Sequence, residues 1–226
     1  MDYSPIWISL KTAVLSILMT FFLGLLIAKA IIGLRNEKMK AILDSLMTLP
    51  LVLPPTVAGY FLLYIFGVKR PIGLFFLEYF GVKIAFSWGA TVLAATMISL
   101  PLMYRSARSA FEQIDPDIIH AARTIGMGEG RIFLRIMMPL AAPGIATGGI
   151  LAFARGLGEF GATAMIAGNI AGKTRTLPLA IYSAVSAGDM DTAKQYVILL
   201  VLIAFLAVFG MNALELRQRR HWKKGA

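Results

Sequence analysis

The sequence predicts an all-α integral membrane protein of about five transmembrane helices, with its N-terminus outside and its C-terminus in the cytoplasm. Three observations predict it. Of 226 residues, 58% are hydrophobic and only 15% are charged, where a soluble domain carries about 25% charged residues. Five long stretches contain no charge, between Lys11 and Lys29, Asp44 and Lys69, Lys83 and Arg105, Arg135 and Arg155, and Lys194 and Glu215. Each is long enough to cross a hydrocarbon core of roughly 30 Å, which takes about 17–25 helical residues. The basic residues are also shared unevenly. With the N-terminus outside, fourteen of the 22 Lys and Arg fall on the cytoplasmic side and eight on the outer side, the asymmetry that orients spans.

The same distribution accounts for the net charge of +10, because every basic patch flanks a span. Membrane lipid is therefore the expected partner of these charges, and nucleic acid is not. The chain has no cysteine, which removes disulfides and thiol–metal sites. No cofactor or metal is expected.

In chain order, the first span covers residues 9–32. Ala28-Lys29-Ala30 imitates a signal-peptidase site, but no base precedes Lys11, so the span is expected to stay uncleaved. The second span, 44–68, contains Pro50, Pro54 and Pro55 within LPLVLPP. Proline removes a backbone donor and crowds the preceding turn. In a span it marks either a kink or backbone that lines a path, which makes Pro54, Pro55 and Thr56 candidate path residues. Residues 71–82 are aromatic and too short to cross, as expected of an outer interfacial segment.

The third span covers 85–104. The fourth, 136–156, includes Gly144 and Gly148 in a GxxxG pattern that allows close helix approach. The uncharged windows at 160–172 and 176–188 are too short to cross and fit re-entrant or interfacial pieces. The fifth span is 196–214, and a basic tail of 215–226 is expected to anchor against anionic lipid heads.

No Asp, Glu, Lys, Arg or His side chain lies inside the five windows. An ion-coupled secondary carrier, the rival from another class, depends on such groups. A membrane-embedded enzyme lacks a catalytic set, since the only histidines are His120 and His221. AGNIAGKT at 167–174 fits a loosened phosphate-loop pattern, but no strand–loop–helix unit surrounds it, so an external turn is expected.

The cytoplasmic segment between spans three and four carries the most specific signal. Asp115 suits an N-cap, Pro116 the first helical position, and Gly126 a left-handed stop. These mark a helix of 116–125, with Ile118, Ala122 and Ile125 on one apolar stripe. A helix this short is marginal in water and needs a partner surface, either its own membrane domain or another subunit.

The segment resembles the cytoplasmic motif of binding-protein-dependent ABC importer permeases, E-A-A, three residues, G, nine residues, I, one residue, L-P. Here it reads His120-Ala121-Ala122, Gly126, Ile136 and Met138-Pro139. His120 replaces the glutamate, and Met138 replaces leucine at nearly constant volume. LPLVLPPTVAGY (49–60), FSWGATVLAA (86–95), FARGLGEFGATAMIAGN (153–169) and KTRTLPLAIY (173–182) are further similar to molybdate permeases, over residues 8–214. Sulfate permeases share the ARxLGE wording and are the alternative within the class.

The resemblance implies a type I importer permease fold and a coupling helix that docks on a cytoplasmic ABC ATPase, present in two copies. It also implies a second copy of the chain, an external molybdate-binding protein, and a prokaryotic plasma membrane. ATP hydrolysis would belong to the partner, so this chain is not expected to be an enzyme. Ala121, Ala122, Arg123, Gly126, Ile136 and Pro139 become the coupling residues, with Arg123 and Arg131 free to bond acidic groups on the partner. Arg155 and Glu159, four apart, pair either as a gate clamp beside the path or as a helix-capping ion pair.

Overall fold

A computed structural model describes the backbone of residues 2–224 and the side chains of residues 2–213. The basic side chains of the expected tail anchor, 215–226, lie outside the described set. Among the described residues the chain is helical throughout, without a strand.

α1 (Ser4–Ile32) is followed by α2 (Glu37–Val52), α3 (Pro55–Phe66), α4 (Pro71–Phe80) and α5 (Trp88–Glu112). Then come α6 (Pro116–Thr124), α7 (Glu129–Ile132), a π-helical turn (Phe133–Met137) and α8 (Met138–Leu157). The last three run on as one 29-residue rod, Glu129–Leu157. The chain ends with α9 (Gly161–Ile166), α10 (Leu177–Ser186) and α11 (Met190–Lys224).

Among the described residues, three helices are long and apolar enough to cross a bilayer: α1, the Glu129–Leu157 rod, and α11 over Met190–Ala213. α5 has the length, about 37 Å at 1.5 Å per residue, but a more polar composition. The reason lies in its position. α5 packs along both α1 and α8, so its polar side chains meet protein rather than lipid.

Those contacts build the centre of the fold. Lipid tails are as apolar as leucine, so helices in a bilayer gain from close backbone approach and from hydrogen bonds between them. α8 offers Gly144 and Gly148, the expected small-residue pair. A Cβ on Gly144 would lie 2.7 Å from Ala110 Cβ, and one on Gly148 2.5 Å from Ser106 Cβ. α1 contributes Gly24, where a Cβ would lie 2.7 Å from Met103 Cγ. Two buried hydroxyl pairs join α1 to α5, Thr12 with Thr91 and Thr20 with Ser99, each at 2.9 Å. Interhelical bonds of this kind average about 0.6 kcal/mol in membranes.

The expected second span, 44–68, falls on two helices, α2 and α3, whose axes differ by 113°, the form of a broken span or a re-entrant loop. The two consecutive prolines explain the break. Leu53 precedes a proline and is extended (φ −71°, ψ 140°), as the proline ring demands of its predecessor. Pro54 is extended in turn before Pro55 opens α3. Pro50 alone does not end α2.

The short windows become short helices. α4 lies within 71–82 and stops at left-handed Gly81 (φ 65°). α9 and α10 occupy the two uncharged windows that were too short to cross. The phosphate-loop lookalike is a turn in which the Ile170 carbonyl accepts from the amides of Lys173, Thr174 and Arg175.

The α5–α8 contact yields a paired prediction. Gly148→Ala places a methyl where Ser106 already sits, an overpacking worth about 1–3 kcal/mol. Gly149→Ala meets nothing within 4 Å and gains helix propensity. In detergent, Gly148→Ala is expected to lower the unfolding midpoint by several degrees, and Gly149→Ala to leave it level or raise it.

Candidate functional site

α6 is capped at both ends by its own sequence. Asp115 Oδ1 accepts from the Asp117 amide at 2.9 Å, and Pro116 fills the first turn, where a missing N–H costs nothing. At the other end the Gly126 amide donates to the Arg123 carbonyl at 2.9 Å, and the Met127 amide to the Ala122 carbonyl at 3.1 Å. This double closure is a Schellman motif and needs a left-handed residue, which Gly126 supplies at φ 80°. A Cβ there would touch nothing. The glycine is thus required by its dihedral angle, not by space.

The expected stripe of Ile118, Ala122 and Ile125 is divided between the domain and the outer face. Ala122 is 4% exposed and faces the domain, while Ile119 packs on the α1–α5–α8 cluster. Ile118 and Ile125 are 43% and 77% exposed, and Ala121 is exposed beside them. A helix with its domain on one side cannot turn the whole stripe toward a partner. The small residue, Ala122, takes the inner contact, and the outer face is Ile118, Ala121 and Ile125.

Arg123 already has a partner within the chain. Rather than standing free for a partner, its guanidinium grips Glu129, with Nε to Oε1 at 2.7 Å and Nη2 to Oε2 at 3.2 Å. That hydrogen bond holds the Glu129 carboxyl below its ordinary range. Glu129 was not singled out by the sequence, although an acid three residues past the Gly126 turn is within reach of Arg123. Arg131 is exposed and has no ion pair among the described residues.

The second half of the motif forms a rigid foot. Ile136 is half-buried in the π turn, and Pro139 is half-buried at the start of α8. In an unbroken α-helix the Pro139 ring would clash with the Arg135 carbonyl; the π turn instead closes from the Met138 amide to the Phe133 carbonyl. The Phe133 ring lies under the Lys29 ammonium at 4.0 Å and against Phe111 at 5.6 Å. α6 and its foot are therefore tied to α1 and α5.

The candidate path residues gather at the other end of α8, about 30 Å away along a 20-residue helix. Arg155 Nη1 meets Glu159 Oε2 at 3.0 Å, and Glu159 Oε1 accepts from the Ala162 amide of α9 at 2.7 Å. The Glu159 side chain is 1% exposed. It thus links the end of α8 to the start of α9, and of the two expected roles this geometry fits helix capping.

α9 in turn carries α3. A Cβ on Gly161 would lie 3.1 Å from Pro55 Cβ and 3.3 Å from Thr56 N, and one on Gly59 would lie 2.7 Å from Ala162 Cα. Pro55, Thr56 and Glu159 are brought into one junction, with Pro54 exposed beside it at the helix break. The junction and the α6 foot do not touch. Among the described residues, no three His, Asp or Glu side chains converge on a metal-sized site.

Residues 20–220 match the family described as binding-protein-dependent transport system inner membrane component. The chain is 41% identical over 208 residues to the molybdenum transport system permease protein ModB of Escherichia coli (strain K12), covering 92% of this chain and 90% of that protein. It is 40% identical over 210 residues to ModB of Haemophilus influenzae, covering 91% of each. Among solved structures, an inward-facing form of the MetNI methionine ABC transporter superposes with TM-score 0.74 at 18% identity, over 93% of each chain. A bacterial ABC transporter that imports alginate gives 0.78 at 16% identity, over 95% of this chain and 78% of that one.

The cap of α6 can be tested directly. Gly126→Val forces a β-branched residue into the left-handed region, whereas Gly126→Asn suits it. The Met127 amide is expected to exchange with solvent at least tenfold faster in Gly126→Val and at the native rate in Gly126→Asn, measured by hydrogen exchange.

Proposed function

The chain belongs to the family of binding-protein-dependent transport system inner membrane components, and on that premise we propose that two copies of it form the membrane path of an ATP-driven importer for molybdate, with tungstate accepted as its near twin. It is a permease subunit of the plasma membrane, and ATP hydrolysis lies in a separate subunit. The observation that carries the substrate is the identity of about 40%, over nine-tenths of the chain, to molybdenum permeases.

The α6 geometry supports the coupling role. In the proposed orientation α6 faces the cytoplasm and offers Ile118, Ala121 and Ile125 to a groove of the partner ATPase. The apolar outer face gives burial, and the small Ala121 lets the groove wall come close. Because α6 is capped, pinned by Arg123–Glu129 and joined to the α8 rod by the short 125–128 turn, a push on it moves α8 rather than unwinding the loop. The far end of α8 carries Glu159 and, through α9, the broken α2–α3 pair, where Pro54, Pro55 and Thr56 stand beside the proposed path.

Specificity belongs to the external binding protein in this reading. The interior of the spans offers hydroxyls, as at Thr12, Thr20, Thr91 and Ser99, and those are paired with one another. A dianion finds no fixed charge there to hold it. Transit without a deep site suits a path whose substrate is delivered already selected.

Two outcomes are expected from the transporter reconstituted with its ATPase and binding protein. Uptake of labelled molybdate is suppressed by an equal concentration of tungstate and unaffected by a hundredfold excess of sulfate; equal suppression by sulfate would move the reading to a sulfate permease. Ala121→Glu inserts and assembles in the membrane but lowers uptake at least tenfold, with ATPase activity no longer stimulated by the loaded binding protein.

A further inference from the structure

A cluster of polar side chains outside both regions ties α2 to α5. The Asp44 carboxylate accepts from the Tyr104 hydroxyl at 2.7 Å and pairs with the Arg108 guanidinium. Arg108 also donates to the Tyr104 oxygen at 3.3 Å and to Glu112 at 2.9 Å. Tyr104 is fully buried.

The rest of α2 is weakly held. None of its residues is buried. Only Leu43 and Met47, on either side of Asp44, pack against the central cluster, while Met39, Ile42, Leu46 and Leu49 turn outward. Beyond the Leu53–Pro54 break the situation reverses, because Gly59 and Gly161 press α3 onto α9 at near-contact distance. A loosely packed helix therefore joins a tightly packed one through a short bend. Hinges in proteins have this form, a few terminal residues that absorb the backbone change.

The bonding pattern also makes the contact reversible. If Asp44 leaves, Arg108 keeps Glu112 and Tyr104 keeps Arg108, so no buried charge is orphaned on α5. Opening frees one carboxylate, which is half-exposed and can hydrate, and leaves the Tyr104 O–H without its acceptor, since a guanidinium only donates. A purely structural buried pair would strand its partner with an uncompensated charge.

We propose that Asp44, Tyr104 and Arg108 are positioning residues for transport: they latch α2 to α5 in one state of the cycle, and α2 swings about Leu53–Pro54, with α3 staying on α9, when the state changes. The inference rests on the permease reading only for the existence of two nucleotide-dependent states.

The absence of cysteine makes the test direct, since a single introduced thiol is the chain's only one. Met47→Cys places it beneath the latch, and Leu62→Cys places it on the buried face of α3 as a reference. In the full complex, with ATPase and binding protein in lipid vesicles, maleimide alkylation is followed in the nucleotide-free and vanadate-trapped states. Position 47 is expected to react at rates differing at least fivefold between the states, while position 62 stays protected in both. Asp44→Asn should remove the difference by making position 47 fast in each, and lower the maximal uptake rate at least fivefold without changing the half-saturating concentration of loaded binding protein.

Tyr104→Phe deletes one hydroxyl and should shift both readouts in the same direction, which keeps the test available if Asp44→Asn assembles poorly. Equal rates at position 47 in the two states, or a difference that survives both variants, would overturn the latch. Molybdate uptake by the wild-type complex, measured in the same vesicles, judges the permease reading separately. State-dependent alkylation without molybdate uptake would overturn that substrate and leave the latch standing.

Discussion

The rest of this structure depends on the near-contact of the α8 glycines with Ser106 and Ala110 of α5. In a bilayer there is no hydrophobic gain from pressing one helix on another, so backbone proximity supplies the attraction. Gly144 and Gly148 provide it on one side of α5, and Gly24 with the two hydroxyl pairs provides it on the other. α5 can then be more polar than α1 or α8, because its Thr91 and Ser99 hydroxyls are paired with α1 rather than left to lipid. Substituting leucines along α5 would fit the membrane better and the protein worse.

From that centre the molecule distributes work by rigidity. α8 is held along its length, and at one end it carries α6 through a π turn pinned by Lys29 and Phe111. At the other it carries α9 through Glu159. What hangs from α9 is graded, with α3 tightly docked and α2 beyond the prolines barely docked at all. A displacement entering at α6 thus meets stiff elements until it reaches the one joint with little apolar burial to resist it. Regions with few buried contacts are the ones that open at low free energy, and here such a region adjoins the residues proposed to line the path.

Much of this was legible from residues alone, for identifiable reasons. Uncharged windows report membrane helices because charge is expensive in hydrocarbon. The α6 limits followed from Asp115, Pro116 and Gly126, whose roles are local and do not depend on the rest of the fold. The gathering of Pro55, Thr56 and Glu159 was only half visible, as two stretches that each looked special without any sign that they touch. Other features are tertiary and were not legible. The apolar pattern of α6 includes Ile118 and Ala122 alike, and only the docking of the helix on its domain decides that Ala122 turns inward. Arg123 read as a docking charge because its neutraliser, Glu129, lies across a turn rather than on its own helix. Asp44 read as the polar boundary of a span, since its partners, Tyr104 and Arg108, lie far along the chain on α5. The sharpness of the α2–α3 bend exceeds what one proline implies, and arises because two in succession keep both Leu53 and Pro54 extended.

The π turn at Phe133–Met137 has a consequence for the register of the whole rod. A π turn winds through roughly one residue less of rotation than α-helix of the same length, so the helix changes phase by about 100° there. Counting straight α-helix from buried Ile132 to Gly148 puts the two about 160° apart, on nearly opposite faces; with one residue discounted they fall within about 60°. The π turn, which begins inside the nine-residue interval of the motif and runs past Ile136, therefore contains one residue that adds length without adding azimuth. Phase-keeping of this kind lets the foot of α6 and the glycine seam of α8 both face inward from one continuous rod. It also makes this turn the place where the rod could lose a single residue, reverting to α-helix, and keep its two ends aligned.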